Sequence, residues 1–424
     1  MSEAAEIPSP ARPSAPFSPS VKLAVIVAAL GYLVDIYDLI LFGVVRRDSL
    51  LSIGVAEADV LVVGVRLLNY QMTGMLVGGV LWGILGDKRG RLSVLFGSIL
   101  MYSLANIANG FVTDVETYAW LRLIAGIGLA GELGAGITLV SEMMPADKRG
   151  IGTTIIAGVG ICGALLAAGV ATVVQWNYAY WLGGIMGLLL LALRVGVLES
   201  GIFQKTKESG VTRGNFFALF TNRRRALRYV CVILCGMPVW FAIGLLASLA
   251  EEIAGPTGLG LSPAPTARIA LLFAYLGLAI GDFGSGWISQ VLKSRKRVLF
   301  AFVGFNAVAI AAYATLGASS IHAFYACVLV LGITNGYWAV FVTVAAEQFG
   351  TNLRATATTT APNFVRGSVV PMNLAFLALK PSLGVLGAAL AVGAVVVVVA
   401  FVAIFGIEET FGKPMDFVED EGRA

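Results

Sequence analysis

Twelve long apolar runs, separated by short charged or turn-rich stretches, dominate this sequence of 424 residues. A helix needs about 20 apolar residues to cross roughly 30 Å of hydrocarbon, and each run is about that long. Of all residues, 58% are hydrophobic and 13% are charged, whereas a water-soluble domain carries about 25% charged residues. The pattern predicts an all-α integral membrane protein with twelve transmembrane helices.

The apolar runs form two series of six, and a long polar segment divides them. The first series covers residues 22–45, 58–85, 91–111, 118–143, 151–174 and 178–198, and the second covers 228–252, 266–292, 297–317, 321–346, 355–379 and 383–406. We predict a six-helix half at 21–199, a cytoplasmic linker at 200–227 and a second half at 228–407. The Pro/Ser/Ala-rich residues 1–20 are expected to be a disordered cytoplasmic tail, and residues 408–424 a second cytoplasmic tail.

The basic residues of the loops are distributed unevenly between the two sides of the predicted bundle. Seventeen lysines and arginines fall in loops on one side, against Arg46, Arg47, Arg268 and Lys380 on the other. Basic residues of short loops are retained in the cytoplasm. This distribution predicts a multi-pass protein of the cell inner membrane with both termini in the cytoplasm.

The sequence offers little support for an enzyme, a metal protein or a nucleic-acid-binding protein. Its net charge is only +4, its four cysteines lie inside apolar runs, and His322 is its single histidine. Neither a set of nucleophile, base and orienting group nor a paired Cys/His ligand spacing can be recognised. We expect no catalysis, no cofactor and no metal. The expected partners are a small-molecule substrate, protons and the lipid bilayer, and the chain is expected to act as a monomer.

The loop after the second run carries a specific motif. It reads Gly83-Ile-Leu-Gly86-Asp87-Lys88-Arg89-Gly90-Arg91. This motif resembles the signature loop between helices 2 and 3 of the major facilitator superfamily, a family of membrane transporters. Its glycines permit a tight turn, while its aspartate and basic cluster can bind a neighbouring helix end. The resemblance implies a twelve-helix fold of two halves and a role in conformational gating for Gly83, Asp87, Arg89, Gly90 and Arg91.

Further segments of the chain extend this resemblance over nearly its whole length. The fourth run reads Arg122-Leu-Ile-Ala-Gly126-Ile-Gly128-Leu-Ala-Gly131-Glu132-Leu-Gly134-Ala-Gly136, and Ser141-Glu142-Met-Met-Pro145-Ala-Asp-Lys148-Arg149-Gly150 follows it. Other matches are Glu199-Ser200, Leu353-Arg354-Ala355-Thr356 and Glu409-Thr410-Phe411-Gly412-Lys413. They are similar to the sugar-porter and metabolite:proton-symporter branches. By this resemblance Glu142, Arg149 and Arg354 are further gating candidates.

The first run carries two acids in a pattern that both branches share in part. Asp35-Ile36-Tyr37-Asp38 resembles the acidic-x-Tyr-Asp pattern of the symporters and the Gly-Tyr-Asp of sugar porters, with Asp38 in common. Ile36 and Leu39 depart from the aromatic residues that symporters prefer, so the substrate cannot be carried over. The fifth run lacks the Gly-Pro pair typical of antiporters of the superfamily, which favours uptake over drug efflux.

We single out seven charged residues of the predicted spans as candidate intramembrane charges, because a charge near the bilayer centre costs about 2.5–3.5 kcal/mol on insertion scales unless it is paired. They are Asp35, Asp38, Arg66, Arg122, Glu132, Asp282 and Arg366. Asp38 and Arg122 lie at matching depths, so they can pair and form a proton switch, or a permanent structural pair. Asp35 and Glu132 could instead share one proton. These four residues are the candidates for proton coupling.

The remaining intramembrane polar and aromatic residues suggest how a substrate could be bound. Guanidinium groups bind planar oxyanions in a bidentate manner, so Arg66 and Arg366 suit a carboxylate substrate, although both could neutralise Asp35 and Glu132 instead. Asp282 is expected either to bind another helix or to contact the substrate. The other candidates for lining the site, some of which could be plain packing residues, are Tyr70, Gln71, Trp240, Asn335, Tyr337, Trp338 and Asn363.

These observations favour a secondary active transporter that works by alternating access around a central site. The leading hypothesis is proton-coupled symport of a small organic anion or zwitterion, such as a carboxylate metabolite. A proton-driven exporter of drugs or metabolites and a sugar or polyol porter are alternatives within the same fold. A membrane sensor or enzyme without transport is the alternative from another class. A sensor is disfavoured because the chain has no sizeable soluble output domain.

Overall fold

The computed structural model describes residues 19–89, 91–132, 149–198 and 216–413, and these residues contain helices and no β-strand. The first six helices are α1 (Pro19–Ser52), α2 (Val60–Arg89), α3 (Arg91–Asn109), α4 (Val115–Leu129), α5 (Arg149–Val173) and α6 (Trp176–Leu198). The next eight are α7 (Arg223–Phe241), α8 (Ala250–Ala254), α9 (Ala267–Leu292), α10 (Arg295–Thr315), α11 (Ile321–Asn335), α12 (Trp338–Glu347), α13 (Thr351–Gly367) and α14 (Val369–Phe405). Most of the predicted tails and linker lies outside the described residues.

These helices form a twelve-helix all-α membrane fold. In the described ranges, eight segments are long and apolar enough to cross a membrane, and the shorter helices Val94–Asn109 and Gly158–Val173 are also apolar. The segment Thr356–Phe405 holds two spans, because the chain leaves helical geometry at Gly384, where φ is 70°. The remaining predicted span, 118–143, begins within α4, and its part from residue 133 onward lies outside the described residues.

Each half of the bundle is held together by close helix pairs. In the first half α1 packs on α5, α2 on α4 and α3 on α6, and in the second half α9 packs on α11 and α7 on α14. Glycine permits the closest of these contacts, since a Cβ atom at Gly126 of α4 would overlap the backbone oxygen of Gln71 in α2. Across the two halves α2 packs on α13 and α5 packs on α9, so these helices border the central site.

The spans predicted at 228–252, 321–346 and 355–379 are each interrupted, the last of them at Ser368 between α13 and α14. Pro238 lies inside α7, and the chain then widens into a π-helix at Ala242–Ala247 before the short helix α8. The span predicted at 321–346 breaks between α11 and α12, at Gly336 and Tyr337. Gly336 lies so close to Gly281 of α9 that a Cβ atom there would overlap the neighbouring backbone. Such interruptions expose backbone N–H and C=O groups, which a membrane interior tolerates only where protein covers them.

Ion pairs join the two halves at the end of the bundle where α1 finishes. The Arg46 guanidinium lies 2.7 Å from the carboxylate of Glu252, which follows the π-helix. Arg268 of α9 donates to Asp48 of α1 at 2.9 Å. Arg47 and Glu251 also belong to this group, at a distance of 3.8 Å. These contacts, which we name the α1–α8 ion-pair cluster, close one end of the space between the halves.

Candidate transport site

Six buried charged side chains lie near one another in the interior of the bundle. Three are acids and three are arginines, so their formal charges cancel; they are Asp35, Asp38, Arg122, Glu132, Arg194 and Arg366. Asp35 lies within the electrostatic reach of Arg366, Glu132 and Arg194. Asp38 lies within reach of Arg122 and Asp35. The six groups therefore form one electrostatic network, in which a change at one site affects the others.

The contact between Asp35 and Arg366 connects the two halves of the protein. Arg366 Nη2 of α13 lies 3.9 Å from Asp35 Oδ2 of α1, and both side chains are almost completely buried. Neither oxygen of Asp35 accepts a hydrogen bond. The Arg366 guanidinium donates to Asn363 Oδ1 at 3.4 Å and lies over the Trp240 ring at 5.8 Å. Three predicted substrate-binding residues, Trp240, Asn363 and Arg366, thus meet beside one candidate proton carrier.

Asn363 also ties the site to the first half of the bundle. Its Nδ2 donates to the backbone oxygen of Ala130 at 2.9 Å, and its side chain packs where a Cβ atom on Gly79 would otherwise lie. Asn363 therefore joins the second half, which carries Arg366, to the backbone just after α4. A movement of one half against the other must break this hydrogen bond.

Asp38 and Arg122 are electrostatic neighbours, but they form no direct ion pair. Arg122 Nη2 donates to Asn106 Oδ1 at 2.6 Å, and its guanidinium lies over the Tyr180 ring at 4.9 Å. The Asn106 side chain also lies beside Asp38, but neither oxygen of Asp38 accepts a hydrogen bond within 3.5 Å. The Asp38 carboxylate packs directly against Gly183 of α6, where a Cβ atom would overlap Oδ1. The carboxylate is thus buried beside the Arg122 guanidinium without being bonded to it. Its oxygens are therefore available to accept a proton.

Glu132 is bound by an arginine that the sequence analysis did not single out. Both terminal nitrogens of Arg194 donate to the two oxygens of Glu132, with Nη1 to Oε2 at 3.1 Å. This bidentate pair lies against Gly31 of α1, where a side chain would overlap it. Asp35 and Glu132 therefore face different arginines and do not face each other as an isolated acidic pair. Arg194 resembled a loop anchor because it lies close to the end of its span.

Aromatic side chains surround the Asp35–Arg366 contact. Tyr32 of α1 is half-buried and lies near Asp35, Arg366 and Trp338. Tyr275 of α9 is buried and lies near the same two charged groups. Trp338 stacks on Phe341 with ring centroids 4.9 Å apart. Tyr32 and Tyr275 were not predicted, because a tyrosine in an apolar run is indistinguishable by sequence from a packing residue.

The structure does not bring Arg66 and Tyr70 into this group. Arg66 is 46% exposed and donates to Glu116 at 2.6 Å, and its guanidinium lies over the Tyr70 ring. Gln71 is buried and donates to the backbone oxygen of Leu39, beside Asp38. Arg66 and Gln71 are five residues apart on one helix, which rotates their side chains by about 140° relative to each other. Arg66 therefore neutralises Glu116, and neither Asp35 nor Glu132.

Asn335 and Tyr337 lie at the interruption between α11 and α12. Asn335 Nδ2 donates to the oxygen of Leu331 in its own helix at 2.8 Å, while its Oδ1 has no partner. The Tyr337 hydroxyl donates to the backbone oxygen of Cys235 in α7 at 2.9 Å. Asn335 therefore bonds within α11, whereas Tyr337 joins the interruption to α7.

The predicted gating residues are described only in part. Gly83 packs near Thr360 of α13, and Arg354 Nε donates to the backbone oxygen of Ala346 at 2.9 Å, which joins α13 to α12. Gly90 and Glu142 lie outside the described residues. For Asp87, Arg89, Arg91 and Arg149 only the helical backbone is described. Within the described ranges, no group of three or more His, Cys, Asp or Glu residues could hold a metal ion.

Comparison with known proteins places this architecture in a family of transporters. The family model of the Major Facilitator Superfamily matches residues 24–369. The chain is 27% identical to the 3-(3-hydroxy-phenyl)propionate transporter of Escherichia coli, over 70% of this chain and 72% of that protein. It is 27% identical to the niacin transporter of Acinetobacter baylyi, over 68% and 72%, and 24% identical to the gentisate transporter of Corynebacterium glutamicum, over 85% and 82%. With its twelve-helix fold and this match, the chain belongs to the Major Facilitator Superfamily.

Proposed function

We propose that this protein is a proton-coupled symporter of small aromatic carboxylates, which it takes up by alternating access of its two halves. The observation that carries the proposal is the buried contact between Asp35 and Arg366 across the two halves. At 3.9 Å and without a hydrogen bond to either oxygen of Asp35, this ion pair is loose. A substrate carboxylate can replace Asp35 as the partner of Arg366 and form the bidentate bonds that guanidinium favours.

The surroundings of Arg366 suit an aromatic ring attached to that carboxylate. Trp240 lies against the guanidinium, and Tyr32, Tyr275 and Trp338 border the same space. Flat apolar side chains with polar tips bind an aromatic ring by stacking and bind its hydroxyl substituents by hydrogen bonds. The named substrates of the three relatives, hydroxyphenylpropionate, niacin and gentisate, each combine a ring with a carboxylate.

Proton coupling follows from the balance of charges in the site. The three buried acids and three buried arginines cancel, so a bound carboxylate anion would leave one uncompensated negative charge in a medium of low dielectric constant. Protonation of one buried acid restores neutrality. Asp35, which would lose Arg366 to the substrate, and Asp38, which has no hydrogen-bond partner, are the acids that would take up this proton.

The test is uptake of radiolabelled 4-hydroxybenzoate and nicotinate into proteoliposomes with an imposed pH gradient, acidic outside. We expect accumulation that collapses when a protonophore is added. Arg366→Lys should retain weak binding, because it keeps the charge but loses the bidentate geometry, whereas Arg366→Gln should abolish uptake. Arg66→Gln is the matched control, since it removes an arginine that lies outside the site.

Two results would contradict the proposal. Accumulation driven equally well by a sodium gradient at fixed pH, with no movement of protons, would exclude proton symport. Accumulation that occurs only in inverted vesicles would favour the alternative, a proton-driven exporter.

A further inference from the structure

The interruption between α11 and α12 leaves the first backbone N–H groups of α12 without partners inside the helix. The first four N–H groups of any helix have no acceptor in the preceding turn and need another partner. Tyr337, at the residue before α12, provides no side-chain cap. In the apolar interior of a membrane, such unsatisfied donors are costly. An acceptor must therefore come from elsewhere in the bundle.

Asp282 of α9 provides this acceptor. Its Oδ1 accepts a hydrogen bond from the backbone nitrogen of Ala339 at 3.0 Å, and the N–H of Trp338 also faces its carboxylate. Gly281 and Gly336 make the contact possible, because a Cβ atom on Gly336 would overlap the backbone of Gly281 and Asp282. A carboxylate from one helix thus caps the beginning of another, where the helix dipole also favours a negative charge.

The capped residues adjoin the proposed substrate site. Trp338, the first residue of α12, lies beside Tyr32 and stacks on Phe341. Tyr32 in turn lies within electrostatic reach of Asp35, Arg366 and Asp282. Because the cap fixes the first turn of α12, it also fixes the direction in which the Trp338 ring projects.

We propose that Asp282 is a positioning residue, which caps α12 and thereby holds Trp338 as a wall against the aromatic ring of the substrate. The role of Trp338 toward an aromatic substrate rests on the proposed function. The capping of α12 by Asp282 does not depend on it. Asp282 belongs to neither the Asp35–Arg366 contact nor the Asp38–Arg122 neighbourhood. Its effect on transport is therefore expected to pass through Trp338.

The first experiment measures the cap without any substrate. Hydrogen–deuterium exchange of purified protein in detergent should show about tenfold faster exchange in the first turn of α12 for Asp282→Ala. Ser285→Ala is the matched control. It lies one turn later on α9, is fully buried whereas Asp282 is partly exposed, and bonds within its own helix, to the backbone oxygen of Asp282. Unchanged exchange in Asp282→Ala would overturn the capping role.

The second experiment measures the consequence for transport. We expect Asp282→Ala to raise the KM for 4-hydroxybenzoate about tenfold while the KM for an aliphatic carboxylate changes little. Asp282→Asn, which keeps an oxygen acceptor, should restore most of the affinity. In a Trp338→Ala background, Asp282→Ala should add little further loss, because both changes remove the same wall.

Additive losses in the double variant, or equal losses for aromatic and aliphatic acids, would overturn the positioning role. If the unmodified protein carries no aromatic acid, the proposed function fails. The exchange experiment still decides whether Asp282 caps α12.

Discussion

At the scale of single residues, the two acids of α1 have different surroundings despite being only three positions apart. Asp35 faces Arg366 in the opposite half, whereas Asp38 remains within its own half beside Arg122 and Gly183. Arg122 already has Asn106 and Tyr180 as partners, so neutralising Asp38 does not leave this cation without contacts. Arg122 therefore keeps these two contacts when Asp38 is protonated.

We predict that Asp38→Asn abolishes concentrative uptake but retains substrate exchange. Asparagine has nearly the volume of the protonated acid, and a carrier that cannot release a proton can still shuttle while loaded. Counterflow and proton-driven uptake in the same proteoliposomes measure the two activities. Asp59→Asn is the control, since that exposed acid lies in the turn before α2, outside both the charged network and the α1–α8 ion-pair cluster. Full accumulation by a well-folded Asp38→Asn variant would assign the proton to another acid.

Burial determines how much an ion pair contributes to stability. Glu132 and Arg194 are 2% and 8% exposed at their side chains, whereas Arg66 and Glu116 are 46% and 56% exposed. Removing one partner of a buried pair costs about 3–5 kcal/mol, and an exposed pair contributes about 0–1 kcal/mol. We expect Arg194→Gln to lower the Tm in detergent clearly and Arg66→Gln to leave it nearly unchanged. Adding Glu132→Gln to Arg194→Gln should recover part of the loss; equal effects of both arginine variants would refute the argument.

Sequence indicates that a membrane helix carries a charge, but the partner depends on how the helices rotate against one another. Asp35, Asp38, Arg122 and Arg366 could be selected by depth and motif, and all four are buried in the charged network. Arg66 satisfied the same criteria, yet its side chain turns toward Glu116. Arg194 was missed because one arginine near a span end fits the rule for cytoplasmic anchors. The rotation of each helix and the pairing of charges across the two halves are decided by the packing of all helices together. A single sequence therefore does not predict which charged residues will be partners.

At the scale of secondary-structure elements, apolar run length predicted the spans well and their interruptions poorly. The run predicted at 266–292 is α9 almost residue for residue. The run predicted at 321–346 contains two helices, because the backbone is not helical at Gly336, where it lies close to Gly281. A run of apolar residues does not show that two glycines from distant positions will meet. The apolar pattern therefore predicts neither the break between α11 and α12 nor its cap by Asp282.

The glycines of α9 provide a prediction at this scale. Alanine at Gly281 would force its Cβ atom into the backbone of α11, whereas alanine at Gly286 of the same helix meets no atom within 4 Å. We expect Gly281→Ala to lower both Tm and uptake strongly and Gly286→Ala to change neither, although both replace glycine with a better helix former. Fluorescence-detected gel filtration after heating measures the Tm, and transport assays measure uptake. Normal uptake and Tm in Gly281→Ala would show that this approach is dispensable.

At the scale of the whole molecule, the α1–α8 ion-pair cluster is the contact expected to open during each transport cycle. Arg46 is nearly fully buried against Glu252, and Asp48 binds Arg268. By the predicted orientation this end faces the cell exterior. Substrate from outside can then reach Arg366 only after these pairs separate.

We predict that Glu252→Gln shifts the population toward a state open at this end. A cysteine at Ser248, which is 5% exposed, would report the opening through its rate of reaction with a membrane-impermeant maleimide in a cysteine-free background. Burial raises the pKa of Glu251 above its ordinary value, so protons bind the closed cluster more tightly than an open, solvated one. Acidification lowers the thiolate fraction of the reporter cysteine in every variant. Protonation of Glu251 should slow labelling beyond that effect, and Glu251→Gln should retain only the pH dependence of the thiolate. Labelling rates unaffected by Glu252→Gln would exclude the cluster as a gate.

The cancellation of three buried acids by three buried arginines has a consequence for how the proposed cycle is driven. If one proton enters with each carboxylate, the charges of the proton and the substrate cancel, so the loaded carrier and the empty carrier move the same total charge between the two faces of the membrane. Membrane voltage, which contributes about 2.3 kcal/mol per elementary charge at 100 mV, then does no net work over a complete transport cycle. The pH difference alone sets the limit of accumulation, at about tenfold for each pH unit.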